Sequence, residues 1–452
     1  MRYRYRNDDE MKDSGVEWLG RIPKEWGITK LKNHFEFEKG KNAALYTNDY
    51  IGLNEGDYPV YSGQTENNGV MGKINSYDYD LEKCIFTTTV GAKVMTPLLL
   101  KGKFNLSQNC LIMKGNNIFE EYIYYLLFPM FRYEKSLIPS YMQPSLRIDD
   151  LKKFYISYPY EKEQQKIALF LDKKTAEFDS IIEKKQSLIT KLTEVKKSLI
   201  SEVVTGKVKV LPPPSLPLAK GEETGGGWQV ISRTDDEMKD SGVEWLGRIP
   251  KEWEVKRVRH IIKEPLKYGA NESAELDDET LPRYIRITDF GDNGKLRNET
   301  FRSLEYKKAK EYFLENGDIL FARSGATVGK TFQFKNYNGK ACFAGYLIKA
   351  SPNKEIIISD FMYSFTKTKN YENWKNSIFM QATIQNIGAD KYKELKLCIP
   401  NSNEQQLIVD FLDEKTAKID GTIEKIKLQI EKLKEAKQSL ISEAVTGKIE
   451  VL

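Results

Sequence analysis

EQQKIALFLDKKTAEFDSIIEK, starting at Glu163, and SLISEVVTGKVKVL, ending at Leu211, return as EQQLIVDFLDEKTAKIDGTIEK from Glu404 and SLISEAVTGKIEVL up to Leu452. The two copies lie 241 residues apart throughout, with no gap. Apolar residues alternate in steps of four and three: Phe178, Ile182, Ile189, Leu192, Leu199 and Val203 in the first copy. The second copy has Ile419, Ile423, Ile426, Ile430, Leu433, Leu440 and Ala444. A repeat near 3.5 residues keeps one stripe facing a partner helix, so each copy predicts one long coiled-coil helix with the other as its mate. Lys185, Lys196 and Lys437 interrupt the stripe and read as wet or register-setting positions. Gly206 and Gly447 are the expected helix stops, because glycine enters the left-handed region cheaply. At about 1.5 Å per residue, roughly 40 residues make a rod near 60 Å long. Two unrelated surface helices would also be amphipathic, but they would have no reason to share nearly one sequence.

A second repeat precedes each helix. DDEMKDSGVEWLGRIPKEW at 8–26 recurs letter for letter at 235–253, 227 residues later. The chain therefore runs head, insert, helix, and then head, insert, helix. Two units predict a pseudo-twofold body, not a solenoid. The inserts, 27–162 and 254–403, differ from one another. Both hold β-like runs broken by Gly, Asn and Asp: Tyr58–Ile74 and Lys83–Met95 in the first, Arg283–Leu296 and Gly317–Phe334 in the second. Helical stretches follow near Glu120–Phe131 and Ile358–Lys369, and then polar loops that echo one another, YMQPSLRIDDLK and FMQATIQNIGADKYKELK. Three prolines and three glycines in Leu211–Val230 mark a linker. The expected fold is α+β: two globular domains joined by two long antiparallel coiled-coil helices with pseudo-twofold symmetry. Its divisions are 1–160, 161–210 (helix), 211–234 (linker), 235–401 and 402–452 (helix).

At 452 residues there is length for two cores, and 30% charged with 40% apolar residues is a foldable, water-compatible mixture. No apolar run is long enough to span a membrane, and MRYRYRNDDE lacks the apolar core of a secretory signal. Cys84, Cys110, Cys342 and Cys398 form no Cys-x-x-Cys pair, so a reduced, cytoplasmic chain is expected. Net charge is only +5, but 254–403 carries 25 basic against 19 acidic residues, while 27–162 carries 16 against 15. The second insert suits a polyanion better, though a solvated surface would look similar.

Motifs for catalysis are missing. His34 and His260 are too few and too isolated for a metal cluster or a triad, and a structural role is expected for each. Ser324–Thr331, SGATVGKT, is one residue short of a phosphate-cradling Gly-x4-Gly-Lys-Thr loop and leads into a strand-like run, not a helix. Neither a dinucleotide fingerprint nor an Asn-Pro-Pro-aromatic or Asp-Pro-Pro-aromatic tetrapeptide is found, and no acidic cluster with a lysine suggests a nuclease. The residues describe a binder.

The paired heads SGVEWLGRIPKEW, the tails EQQ-x-I-x2-FLD and SLISE-x-VTGK, and the two unlike inserts resemble the DNA-specificity subunit of type I restriction–modification systems over nearly the whole chain. That resemblance implies that each insert is a target-recognition domain and that the paired helices are spacer and docking site. The implied partners are double-stranded DNA, two methyltransferase subunits and two restriction–translocase subunits, with no membrane. S-adenosylmethionine, ATP and magnesium are implied to belong to those subunits, and no cofactor to this chain. The linker looks long for the family. Residues 27–160 would read one half-site and 254–400 the other, about one helical turn or 34 Å apart. Unlike inserts imply unlike half-sites around an unread spacer.

Base edges are read mostly by Arg, Lys, Asn and Gln, and phosphates by cations and backbone amides. On those grounds the DNA-binding candidates are Ser62, Gln64, Asn67, Lys93, Tyr141, Gln143 and Arg147 in the first insert. In the second they are Arg286, Thr288, Arg323, Ser324, Thr327, Lys330, Gln381, Thr383 and Gln385. A solvated turn would use the same residue types at any one position. The rival function is a non-catalytic coiled-coil adaptor without DNA readout, which would be expected to repeat its inserts.

Overall fold

Both repeats form single helices, Glu161–Val204 and Ser402–Val445, each of 44 residues. The computed structural model describes residues 2–63, 66–91, 93–116, 118–213, 227–291, 294–325, 327–379 and 386–452. The chain divides into two units, Met1–Ser187 with Ile426–Leu452, and Leu188–Lys425, so each unit takes part of both helices.

In the first unit, Lys437 Nζ reaches Asp179 Oδ2 at 2.7 Å, and Lys185 Nζ donates to Gln429 Oε1 at 2.7 Å. Residue numbers fall on one helix as they rise on the other, so the two run antiparallel. In the second unit, Lys196 Nζ reaches Asp420 Oδ2 at 2.6 Å. Lys196 and Asp420 are the repeat counterparts of Lys437 and Asp179, so one rung is made twice. The lysines that interrupt the apolar stripe are therefore its cross-links. Around them, Phe178, Ile182, Ile189 and Leu192 are half-buried, while Ile423, Ile426 and Ile430 are buried.

The first insert folds as a six-stranded sheet in the order Phe35–Lys39, Cys110–Gly115, Tyr79–Thr88, Pro97–Leu106, Glu55–Tyr61, Val70–Ile74. Its pairings are antiparallel except Glu55–Tyr61 against Pro97–Leu106. A register shift between Leu81 and Cys84 bends the long hairpin, as a bulge does. Helix Glu120–Ser136 lays Tyr122, Ile123, Leu126, Leu127 and Met130 into a core shared with Phe170, Leu171, Ala444 and Val445 of the long helices. That burial, more than local propensity, fixes where the long helices meet the domain.

The second insert is built differently. Its four-stranded sheet runs Lys267–Tyr268, Leu347–Ala350, Ile319–Ala322, Thr331–Gln333, beside a parallel pair, Arg283–Ile285 with Ala341–Phe343. Helices Ser359–Phe365 and Lys369–Phe379 cover it. The expected strands at 317–334 form a hairpin, Ile319–Ala322 with Thr331–Gln333, whereas among the described residues of 283–296 the strand Arg283–Ile285 leads into a 3-10 turn and Phe290 bridges Leu296.

The heads are the same in both units: a hairpin (Met11–Asp13 with Arg21–Pro23, and Met238–Asp240 with Arg248–Pro250) followed by a buried tryptophan, Trp26 or Trp253. Trp26 Nε1 donates to Glu163 Oε2 at 2.9 Å, and Trp253 Nε1 donates to Glu404 Oε2 at 3.0 Å. Arg6, nearly buried, bonds Glu163 Oε1 at 2.8 Å and the carbonyl of Gly447 at 2.9 Å. Arg233 pairs with Glu404 and donates to the carbonyl of Gly206 at 3.0 Å. Each latch ties a head to the start of its own helix and to the end of the other. The neighbouring glutamines cap the inserts: Phe119 N–H donates to Gln164 Oε1 at 3.1 Å and Ile358 N–H to Gln405 Oε1 at 2.8 Å. Finally, Tyr3–Tyr5 pairs with Ile449–Val451, and Val208–Leu211 pairs with Gln229–Ser232. Trp228 Nε1 of the linker donates to Glu414 Oε2 at 2.7 Å, and 214–226 lies outside the described residues.

Candidate nucleic-acid interface

Main-chain hydrogen bonds gather the first unit's loops into one rim. Ser62 N–H donates to Gly69 O, Ser107 N–H to Tyr61 O, Thr89 N–H to Asn109 O and Leu146 N–H to Thr89 O, each at 2.8 Å. Val90 bridges Ser145, so the segment bearing Lys93 lies beside the one bearing Gln143 and Arg147. The Lys93 carbonyl is held by Thr88 Oγ1 and, at 2.7 Å, by Thr96 Oγ1, which leaves the ammonium outside. Tyr141, Gln143 and Arg147 are exposed, while Ser62 is buried and fixes its turn. Gln64 lies outside the described residues, and Asn67 falls in the 3-10 turn Glu66–Gly69.

The second unit makes a rim with the same join. Ser324 bridges Asn386 and Ile387 N–H donates to Arg323 O at 2.9 Å, as Leu146 does to Thr89. Among the described residues of SGATVGK the chain turns back on itself: Gly329 N–H returns to Ala322 O at 2.8 Å and Val328 N–H to Gly325 O at 3.0 Å. Lys330 Nζ bonds the Phe290 carbonyl at 3.3 Å and so draws the 286–296 loop to this rim. Arg286 is engaged internally with Asp289 and, at 2.6 Å, with the Thr300 carbonyl, so it braces the loop. Thr288 and Thr327 are exposed. Gln381, Thr383 and Gln385 lie outside the described residues.

Arg323 is the most distinctive group here. Its guanidinium lies over the Tyr268 ring, 5.1 Å from the centroid, and its Nε is buried without a hydrogen-bond partner among the described residues. A planar, permanently charged fork on an aromatic platform suits a phosphate or a guanine edge. Tyr268 and Tyr346, both exposed beside it, were not among the sequence candidates. The pairing of Lys267–Tyr268 with Leu347–Ala350 brings Tyr268 there, and Ala389 N–H donates to its hydroxyl at 3.0 Å. Behind the rim, Lys367 Nζ donates to Thr331 Oγ1 at 2.8 Å, and burial with the nearby Lys330 charge pushes its pKa down to about 8. Crowded, poorly solvated cations of this kind favour an arriving anion.

All four cysteines are free and buried, and burial pushes each thiol up to about 12. His34 stacks on Tyr158 and contacts Thr29 Oγ1, and His260, which is exposed, accepts from Arg259. Among the described residues no helix is long and apolar enough to cross a membrane.

Residues 23–191 and 250–432 match the family described as type I restriction modification DNA specificity domain. The chain is 33% identical over 143 residues to a putative type I specificity subunit of Mycoplasma pneumoniae, covering 31% of this chain and 38% of that protein. It is 20% identical over 454 residues to a type I restriction enzyme specificity subunit of Methanocaldococcus jannaschii, covering 95% of this chain and 94% of that one. A solved chain from work on assembly and conformational transition of the type I restriction–modification system matches with a TM-score of 0.64 at 13% identity. That match covers 94% of this chain and 99% of the other, and it is a likeness of fold.

Proposed function

Because the chain belongs to the type I restriction–modification DNA specificity family, we propose that it is the non-catalytic reader of a bipartite, asymmetric duplex target. One half-site is read by 27–160 and the other by 254–400, and the helix pair sets the unread spacer. The observation that carries this is the pairing of like with unlike. Heads, latches and helix rungs are duplicated, yet the two rims rest on different sheets and present different side chains. An adaptor has no need of that divergence. Two methyltransferase and two restriction–translocase subunits dock on the frame and carry S-adenosylmethionine, ATP and magnesium, in the cytoplasm where the DNA is.

The test is a map of methylated motifs in a host genome, with the methyltransferase partner present and this chain either present or absent. A two-part motif that depends on the chain is expected, and identical maps would overturn the proposal. Deleting one matched heptad from both helices should then alter the spacer and leave both half-sites readable.

A further inference from the structure

One element of the first unit's rim is apolar where the rest is polar. Pro139 and Pro144 bracket a turn closed by Met142 N–H donating to Pro139 O at 2.9 Å. Its tip carries Tyr141, 86% exposed, and Met142, 54% exposed. Leu137 precedes it at 59% exposure, and Val90 on the bridged segment is 36% exposed. The turn is anchored by Leu146, which is buried and bonded to Thr89. Fixed φ at two prolines removes much of the freedom such a loop would otherwise have. A rigid turn that holds an aromatic ring and a thioether out in water serves no core.

Cations lie on the segments beside it. Lys93, Lys135 and Arg147 make no ion pair among the described residues; the nearby Asp150 accepts instead from the Arg147 backbone N–H at 3.0 Å. Lys135 is partly buried, which lowers its pKa, and the charge on Lys93 lowers it further, so the two ammonium groups crowd one another. Glu134, also partly buried, has its pKa raised by that burial and by Asp150. An apolar tip with unpaired cations on its neighbouring segments is complementary to a base step flanked by phosphates.

We infer that the Tyr141–Met142 tip is a wedge that enters the first half-site between base pairs, with Lys93, Lys135 and Arg147 seating the flanking phosphates. This rests on the DNA reading proposed above and adds to it a mode of recognition by unstacking, in which easily deformed steps are favoured.

The test uses the full chain with its methyltransferase partner and duplexes bearing the mapped half-site, with 2-aminopurine placed at each purine in turn. Binding should brighten the fluorophore at one step. Tyr141→Ala should abolish that signal and weaken binding about 5- to 150-fold, the range for loss of one base–aromatic stack, at an unchanged salt slope. Tyr141→Phe should keep both. Lys93→Ala should instead lower the salt slope by about one. Binding without brightening at any step, or a Tyr141→Ala chain that binds as the parent does, overturns the wedge alone. A parent that binds no DNA overturns the wedge and the DNA reading together. Loss of the methyltransferase subunit on Tyr141→Ala, with DNA binding kept, makes the tip a protein contact and also overturns the wedge.

Discussion

Gly206 and Gly447 should both resist replacement, for two separate reasons. Each ends a long helix at positive φ, +73° and +71°. Gly206 closes the helix with Lys207 N–H bonded to Glu202 O and Gly206 N–H to Val203 O, the paired bonds of a Schellman stop. Each also lies against the other repeat's head. A Cβ at 206 would stand 2.5 Å from Pro250 Cγ and 3.1 Å from the Trp253 ring, and one at 447 would strike Pro23 and stand 3.0 Å from Trp26. Alanine there carries the left-handed penalty, about 1–2 kcal/mol, and an overpacking cost of about 1–3 kcal/mol. Either substitution should therefore remove about 2–5 kcal/mol. Gly421 is the control: it lies within Ser402–Val445 with nothing near its would-be Cβ, so Gly421→Ala should stabilise by about 1 kcal/mol. Equilibrium urea unfolding of the full chain, followed by circular dichroism and tryptophan emission, measures both. A Gly447→Ala midpoint matching the parent, or one matched by Gly421→Ala, would refute the packing argument.

Three further outcomes are expected. Arg6→Ala and Arg233→Ala should each cost about 2–4 kcal/mol in the same unfolding assay, below the usual figure for breaking a buried pair because Glu163 and Glu404 keep some water; a loss under about 0.5 kcal/mol would mean the latches are ornamental. The Lys196–Asp420 rung is largely exposed, so a double-mutant cycle should give a coupling of only about 0.3–1 kcal/mol that fades in high salt; a salt-independent coupling would refute this. Lys367 has a folded pKa near 8, below its unfolded value, so its contribution to stability falls as pH drops below the unfolded value and levels off below about 8. Lys367→Met should accordingly stabilise by about 1–3 kcal/mol at pH 7 and lose that gain near pH 10; an equal effect at both pH values would count against a buried charge.

The long helices, their seam and their glycine stops were legible because a heptad repeat and a duplicated sequence leave little else to form. The heads were legible as repeats but not as machinery. That Glu163 and Glu404 hold a tryptophan and an arginine, and that Gln164 and Gln405 cap the inserts, depends on contacts far apart in sequence. Arg6 and Arg233 lie just outside the repeated letters, so only the folded chain reveals them as equivalents. The rims were partly legible. Turn residues such as Lys93, Arg147 and Thr327 reach the surface, but residue type alone could not separate Arg286, spent on Asp289, from Arg323, seated on Tyr268. Tyr268 arrives by strand pairing, and nothing in its local sequence marks it.

The two short ladders, Tyr3–Tyr5 on Ile449–Val451 and Val208–Leu211 on Gln229–Ser232, give the polypeptide a cyclic order. Leu452 N–H already bonds Arg2 O at 2.9 Å, so a permuted chain could join residues 452 and 2 and open between the two strands of the second ladder. Such a permuted gene product would preserve every rung and latch while translating the second reader first. A frame of this kind is indifferent to its own starting point, because each insert sits between a like head and a like latch.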